Sequence, residues 1–145
     1  MKLKTIGIVK NSIKEPKNDG LTDVISEIVI DKKYEQALDQ IEGFSHIIVL
    51  YWMNRVAPTR RLNLKVHPKK RKDLPLVGVF ATRSPTRPNP VGLSTVHILE
   101  HRENILKVTG LDAIDGSPIL DIKPYIPGYD SPTRAKTPSW IKLLR

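Results

Sequence analysis

The sequence has no cysteine, and that one absence removes structural disulfides, thiolate catalysis and cysteine-ligated zinc together. It allows a reducing compartment without requiring one. Long apolar runs are missing too, since nothing approaches the ~18 consecutive apolar residues of a membrane span. Residues 1–9, MKLKTIGIV, carry lysines but neither a long apolar region nor a small-residue cleavage site, so they read as a first strand and not as a signal peptide. The expected setting is cytoplasmic, with no membrane partner. No phosphate loop, no G-x-G-x-x-G and no G-x-S-x-G occurs, which leaves a Rossmann-type cofactor site and an α/β-hydrolase without support. Acidic residues are scarce, 15 against 24 Lys and Arg, for a net charge of +9. That balance favours anionic partners such as RNA, DNA or nucleotides, and it equally suits a chain that is merely soluble.

The 145 residues match the size of one ordinary domain, long enough to bury a core unaided, and no linker divides them, so 1–145 reads as a single domain. Strands are expected at 3–9 (LKTIGIV), 24–30 (VISEIVI), 45–53 (SHIIVLYWM), 76–82 (LVGVFAT), 91–101 (VGLSTVHILEH), 105–111 (ILKVTGL) and 118–122 (PILDI). Their β-branched and aromatic content supports this, with Arg102–Asn104 and Asp115-Gly116 as turns. YEQALDQI at 34–41 predicts a short helix with Gly43 as its stop. SWIKLLR at the end predicts an amphipathic piece with Ser139 as a possible N-cap. Residues 54–75 read as a long basic loop. About seven short strands with one or two short helices, and no βα alternation, point to a mainly β fold, a small antiparallel barrel or sandwich.

The densest stretch is TRSPTRPNPVG at 82–92. Pro85, Pro88 and Pro90 fix their own φ and push each preceding residue towards extended geometry, so the backbone beneath Arg83 and Arg87 is stiff before any ligand arrives. Planar guanidinium groups on such a backbone suit a carboxylate or a phosphate. A rigid surface connection is the plain alternative, and a PxxP ligand at Pro85–Pro88 is disfavoured between two strong strands. In the run His67-Pro68-Lys69-Lys70-Arg71-Lys72, the cations read as phosphate-backbone contacts, as a nuclear targeting signal or as a solvated loop.

His97 and His101 stand four apart on an expected strand, which would span ~13 Å. No carboxylate motif accompanies them, so no metal site is expected. His46 reads as a structural histidine at a strand start. In LDAIDG at 111–116, Asp112 and Asp115 flank a turn, with Asp121 on the strand beyond. Such aspartates commonly bond their own backbone; alternatively, the turn and a carboxylate line a pocket.

Taken together, GIVKNSIK (7–14), IEGFSHIIVLYW (41–52), VGVFATRSPTRPNPVGLS (77–94) and LDAIDGSPILDIKPYIP (111–127) resemble the TsaA-like, or TrmO, family of S-adenosylmethionine-dependent methyltransferases. The likeness runs roughly from residue 5 to 128, and ATRSPTRPNPVGLS and DGSPILDIKPY are its most specific parts. It implies a compact, mostly antiparallel β-barrel and N6-methylation of threonylcarbamoyl-adenosine beside the anticodon of threonine tRNA. It also implies S-adenosyl-L-methionine as cofactor and a homodimer with the cofactor near the subunit interface. By motif, the implied cofactor-binding residues are Arg83, Leu93 and the turn Asp112, Ala113, Ile114 and Asp115. The loop after the first strand, Lys17, Asn18 and Asp19, and the end of the FSH strand, Asn54 and Arg55, complete the set.

The proton of the weakly nucleophilic N6 needs an acceptor, which the sequence leaves open among Asp112, Asp115, Asp121 and solvent. Longer bacterial members of the family add a C-terminal domain that helps hold the tRNA; here Arg60, Arg61, Lys65, Lys69, Lys70, Arg71 and Lys72 are the candidates for phosphate contacts. A non-catalytic RNA-binding barrel and a cofactor-sensing module are the alternatives. Tyr51, Trp52 and Trp140 are candidates for base stacking, although core packing is the default for the first two.

Overall fold

The computed structural model describes residues 1–15 and 23–144. They gather into two compact units, the first Met1–Asn54 with Val91–Tyr125 and the second Arg55–Pro90 with Ile126–Arg145.

The first unit is the barrel that the strand count and the resemblance predict. Its strands are β1 (Gly7–Lys10), β2 (Ile25–Ile30), β3 (His46–Trp52), β6 (Val91–Arg102), β7 (Ile105–Thr109) and β8 (Pro118–Pro124), while β4 and β5 belong to the second unit. All neighbours are antiparallel in the order β1-β2-β7-β6-β3-β8, and β8 pairs with β1 to close the ring. Side chains alternate across each strand, so every second residue points inward. Ile28 and Ile30 of β2, Ile47, Val49 and Tyr51 of β3, Val96 of β6, and Leu106 and Val108 of β7 meet inside with Val9 and Ile119. Burying each large aliphatic side chain contributes about 1.5–3 kcal/mol relative to leaving it in water, so this set is what holds the ring closed.

The same alternation carries two hydroxyls inward, Ser26 and Ser94, both buried. Pairing of β3 with β8 slips one step between Leu50 and Tyr51: Leu50 faces Asp121, but Tyr51 faces Ile119. The extra residue is Leu120 of β8, and such a bulge shifts the alternation of its own strand, which is why Ile119 and Ile122, three apart, both pack at the core.

The second unit is built from turns. Its strands β4 (Lys65–Val66) and β5 (Val77–Gly78) are two residues each and pair only with one another. The strand expected over 76–82 therefore stops early. After Gly78 the chain enters a 3-10 turn, Val79–Ala81, because the Thr82 hydroxyl and the Thr82 N–H both donate to the Val79 carbonyl, at 2.7 and 3.1 Å. The expected basic loop at 54–75 holds 3-10 turns at Pro58–Leu62 and Pro68–Lys70, with Lys69 and Lys70 in the left-handed region at φ 50° and 57°. Its cations are not all solvated: Lys69 Nζ donates to the Leu144 carbonyl and Arg71 Nη1 to the Leu143 carbonyl, each at 2.6 Å.

The predicted helical pieces form, as 3-10 turns. In the barrel unit the piece expected at 34–41 is a turn over Lys32–Leu38, followed by a second over Ile41–Gly43. The first buries only Leu38 and breaks at Gln40, where φ is 70°. Tyr34, Leu38 and Ile41 pack against the core, but a run of seven residues that breaks at a left-handed Gln40 is too short for a regular α-helix. The terminal piece is likewise a 3-10 turn, Ser139–Leu144, which begins at Ser139 itself and closes on the Pro138 carbonyl. The first strand starts at Gly7 and not at Leu3. Among the described residues no helix is long and apolar enough to cross a membrane.

Candidate functional site

One end of the barrel gathers most of the residues singled out by sequence. Trp52 at the end of β3 pairs with Val91 at the start of β6, so Asn54 and Leu93 leave the barrel at the same rim. The segment joining β7 to β8, 111–117, crosses this rim, and the barrel interior fixes it through side chains that the sequence reading treated as packing. The hydroxyl of Tyr51 donates to the Asp112 carbonyl, and the Asp112 N–H donates to Ser94 Oγ at 3.2 Å. Both backbone groups of one turn residue are thus satisfied by two inward-facing barrel residues, whose oxygens lie 3.4 Å apart. Gly92 permits this. A Cβ there would overlap the Tyr51 ring, so any larger residue forces the ring and its hydroxyl away from the turn.

The far side of the turn is tied to the loop after β1. Asn11 Nδ2 donates to the Ala113 carbonyl at 2.9 Å and to Ser26 Oγ at 3.0 Å. The Asp115 N–H donates to the Ile13 carbonyl at 2.8 Å, and Gly116, in the left-handed region at φ 81°, donates to the Val9 carbonyl at 2.7 Å. The positive φ is the backbone requirement behind the Asp-Gly signal. Ser117 closes the turn by donating from Oγ to the Ile114 carbonyl at 2.6 Å. A segment with this many long-range bonds is ordered before anything binds to it.

The three carboxylates left open by the sequence differ in their surroundings. Asp115 accepts from the Asn11 N–H at 3.0 Å and from Lys14 Nζ at 2.6 Å, and Asp121 accepts from Lys123 Nζ at 2.8 Å. Among the described residues the Asp112 carboxylate has neither a hydrogen bond nor an ion pair. Its side chain reaches solvent, yet the protein packed around it disfavours the charge and lifts the carboxyl above its ordinary value. Beside the turn, one residue from Ser94, Leu93 points outward and is 44% exposed, leaving apolar surface at the rim.

Within the second unit, the two arginines of the proline-rich stretch have separate fates. Arg87 Nη1 donates to the carbonyls of Thr82 and Ser84, at 3.1 and 3.2 Å, and its guanidinium lies 5.9 Å from the centre of the Phe80 ring. Arg87 braces the loop. A ladder of hydroxyls stiffens it further: the Ser84 N–H donates to Thr82 Oγ1 at 3.1 Å, and Ser84 Oγ meets Thr86 Oγ1 at 2.8 Å. Arg83 is exposed and, among the described residues, makes no hydrogen bond or ion pair. Of the remaining expected residues, Asn54 donates its N–H to the Trp52 carbonyl at 3.0 Å, and Arg55, exposed, begins the second unit. Lys17, Asn18 and Asp19 lie outside the described residues.

Three of the four histidines serve the barrel unit, while His67, in the second unit, bonds the Leu74 carbonyl at 2.9 Å. His46 and His97 face one another across β3 and β6 with ring centres 5.0 Å apart, and His101 contacts Glu42 through Nδ1 at 2.9 Å. Sequence reasoning passed over Ser94, Asn11 and the polar duty of Tyr51. The alternation of V-G-L-S-T-V was the available signal, because it puts Ser94 on the same buried face as Val96.

The family described as tRNA-methyltransferase O N-terminal domain matches residues 8–131. An S-adenosyl-L-methionine-binding protein of Archaeoglobus fulgidus is 48% identical over 134 residues, covering 90% of this chain and 93% of its own. A tRNA (adenine(37)-N6)-methyltransferase of Escherichia coli is 36% identical over 142 residues, covering 87% of this chain and 58% of its own. The crystal structure of TrmO from Pseudomonas aeruginosa superposes with a TM-score of 0.77 at 26% identity, over 94% of this chain and 60% of that one.

Proposed function

Because the chain belongs to the tRNA-methyltransferase O N-terminal domain family, we propose that it binds S-adenosyl-L-methionine and methylates N6 of threonylcarbamoyl-adenosine beside the anticodon of a threonine tRNA. The observation that carries this reading is the turn 111–117, whose backbone is fixed by Tyr51, Ser94 and Asn11 while the Asp112 carboxylate is left without a partner among the described residues. That donor set suits the cofactor. Leu93 offers apolar surface to an adenine, the turn offers a hydrogen-bonding edge, and a carboxylate suits an ammonium, a ribose hydroxyl or a proton. When bound, the sulfonium supplies an electrophilic methyl group. Asp112 is the proton acceptor of this reading. Its raised carboxyl makes it a stronger base than an ordinary aspartate, and Asp115 and Asp121 are already engaged by lysines.

Arg83 is assigned a carboxylate or phosphate group by its exposed guanidinium on a stiff loop. Asn54, Arg55 and the loop at Lys17, Asn18 and Asp19 are the remaining proposed cofactor contacts, from the sequence motif alone. Arg60, Arg61, Lys65, Lys69, Lys70, Arg71 and Lys72 are assigned to tRNA phosphates, which makes binding strongly salt-dependent. A cytoplasmic homodimer is part of the reading, checked by sedimentation.

Incubation with labelled S-adenosyl-L-methionine and threonylcarbamoylated tRNA, followed by nucleoside mass spectrometry, should yield the N6-methylated nucleoside. Absence of both product and cofactor heat in calorimetry would overturn the proposal. A second reading, cofactor binding without transfer, has the 48%-identical S-adenosyl-L-methionine-binding protein in its favour. It predicts saturable heat in calorimetry and no labelled nucleoside.

A further inference from the structure

Phe80 is 78% exposed, an unusual position for a phenylalanine on a chain of net charge +9. It sits in the 3-10 turn Val79–Ala81, directly after β5, and β5 is paired with the strand that carries Lys65. Its ring is held by design of the loop behind it: Arg87 lies against it, and that guanidinium is itself anchored to two carbonyls. An aromatic ring with a fixed cation on one side and water on the other has a flat apolar surface to offer. The unit that carries it holds 14 Lys and Arg against 2 Asp and Glu, a net charge of +12. A flat, apolar occupant that travels with negative charge fits both features, and an unpaired nucleobase on a phosphate backbone is such an occupant. A hydrophobic protein partner would satisfy the ring and leave the cations unmatched.

We propose that Phe80, braced by Arg87, is a stacking platform for an unpaired base of the RNA, so that it holds one base of the single-stranded loop in place. The proposal rests on the reading of the protein as an RNA methyltransferase, and it adds a positioning residue outside the cofactor turn. Stacking on an aromatic ring is tolerant of base identity, so Phe80 contributes affinity and placement and leaves the choice of base to other groups.

The experiment uses the full chain and an anticodon stem-loop RNA with 2-aminopurine at successive loop positions. Wild type should quench the fluorescence at one or two neighbouring positions. Phe80→Ala should abolish that quenching and weaken binding by about tenfold, with KM for RNA raised and cofactor affinity and thermal stability unchanged. Phe80→Trp should retain both quenching and affinity, which a role in folding alone would not predict. RNA affinity and quenching in Phe80→Ala equal to wild type, with methyl transfer intact, would overturn the platform and leave the enzyme standing. A Phe80→Ala protein whose sedimentation mass falls while RNA affinity stays the same would overturn it in favour of a contact between copies of the chain. If no methyl transfer is found in any variant but quenching is still lost in Phe80→Ala, the enzymatic reading fails and the platform survives.

Discussion

The barrel unit and the second unit solve the same problem, keeping a backbone in place, by opposite means. The barrel unit carries 10 Lys and Arg against 13 Asp and Glu, net −3, and contains all 13 buried residues of the hydrophobic cluster. The second unit is net +12 and holds 9 of the 12 prolines, while its buried hydrophobic side chains, among the described residues, are Leu74 and Val79. One is held by apolar burial. The other is held by restricted φ angles, short-range hydroxyl bonds and the internal use of Arg87, Lys69 and Arg71. Concentrated positive charge opposes compaction, so a highly basic unit gains most from stiffness already present in the unfolded chain.

This contrast can be broken most directly in the core. Ile47→Ala should lower stability by about 2–5 kcal/mol, near 3 °C in melting temperature for each kcal/mol. Leu62→Ala in the second unit, where the side chain is exposed, should stay within about 0.5 kcal/mol. Similar melting losses for the two would erase the distinction. The next effect concerns the polar pins inside the barrel. Tyr51→Phe strips the Asp112 carbonyl of its donor, which costs about 1–3 kcal/mol and should weaken cofactor binding in calorimetry by loosening the turn.

Arg83→Ala sharpens the comparison from the other side. It should leave melting unchanged and reduce cofactor affinity or turnover about tenfold, about 1.4 kcal/mol. Arg87→Ala, in contrast, should lower melting because it frees two loop carbonyls. A small effect on melting belongs to Asp112. Folding lifts its carboxyl above the unfolded value, so ionising it opposes the fold. Any stability it lends is complete below the ordinary carboxylate range and fades as pH rises through the raised value. Asp112→Asn should therefore raise melting slightly at pH 7, and this gain should vanish towards about pH 3. A gain that grew on acidification would contradict the burial argument.

The barrel was legible in the sequence because its strands alternate with period two and end at recognisable turns; 24–30, 45–53, 91–101 and 105–111 sit within two residues of the observed β2, β3, β6 and β7 at each end. The second unit was less legible. Val77, Val79 and Phe80 look like a strand, but Thr82 turns the chain back onto Val79 through a side-chain bond that no periodicity reveals. Helix-forming letters at 34–41 likewise gave way to a 3-10 turn, because the run is short and breaks at the left-handed Gln40. At the candidate site, the letters marked Arg83, Leu93 and 111–116, but the groups that fix the turn, Tyr51, Ser94 and Asn11, act through contacts between distant strands. Such pairings are written in the register of the sheet and not in any local motif.

The closing seam of the barrel also has a consequence for the order of events during synthesis. β1 pairs with β8, and beside them Asn11 bonds Asp115, 104 residues further along. At about 5–20 residues per second, the first strand therefore emerges many seconds before its second neighbour exists. For that interval one rim of β1 stays unpaired, and the charged and polar letters around it, Lys4, Lys10 and Lys14, are what stands between a nascent chain and its neighbours on the same message.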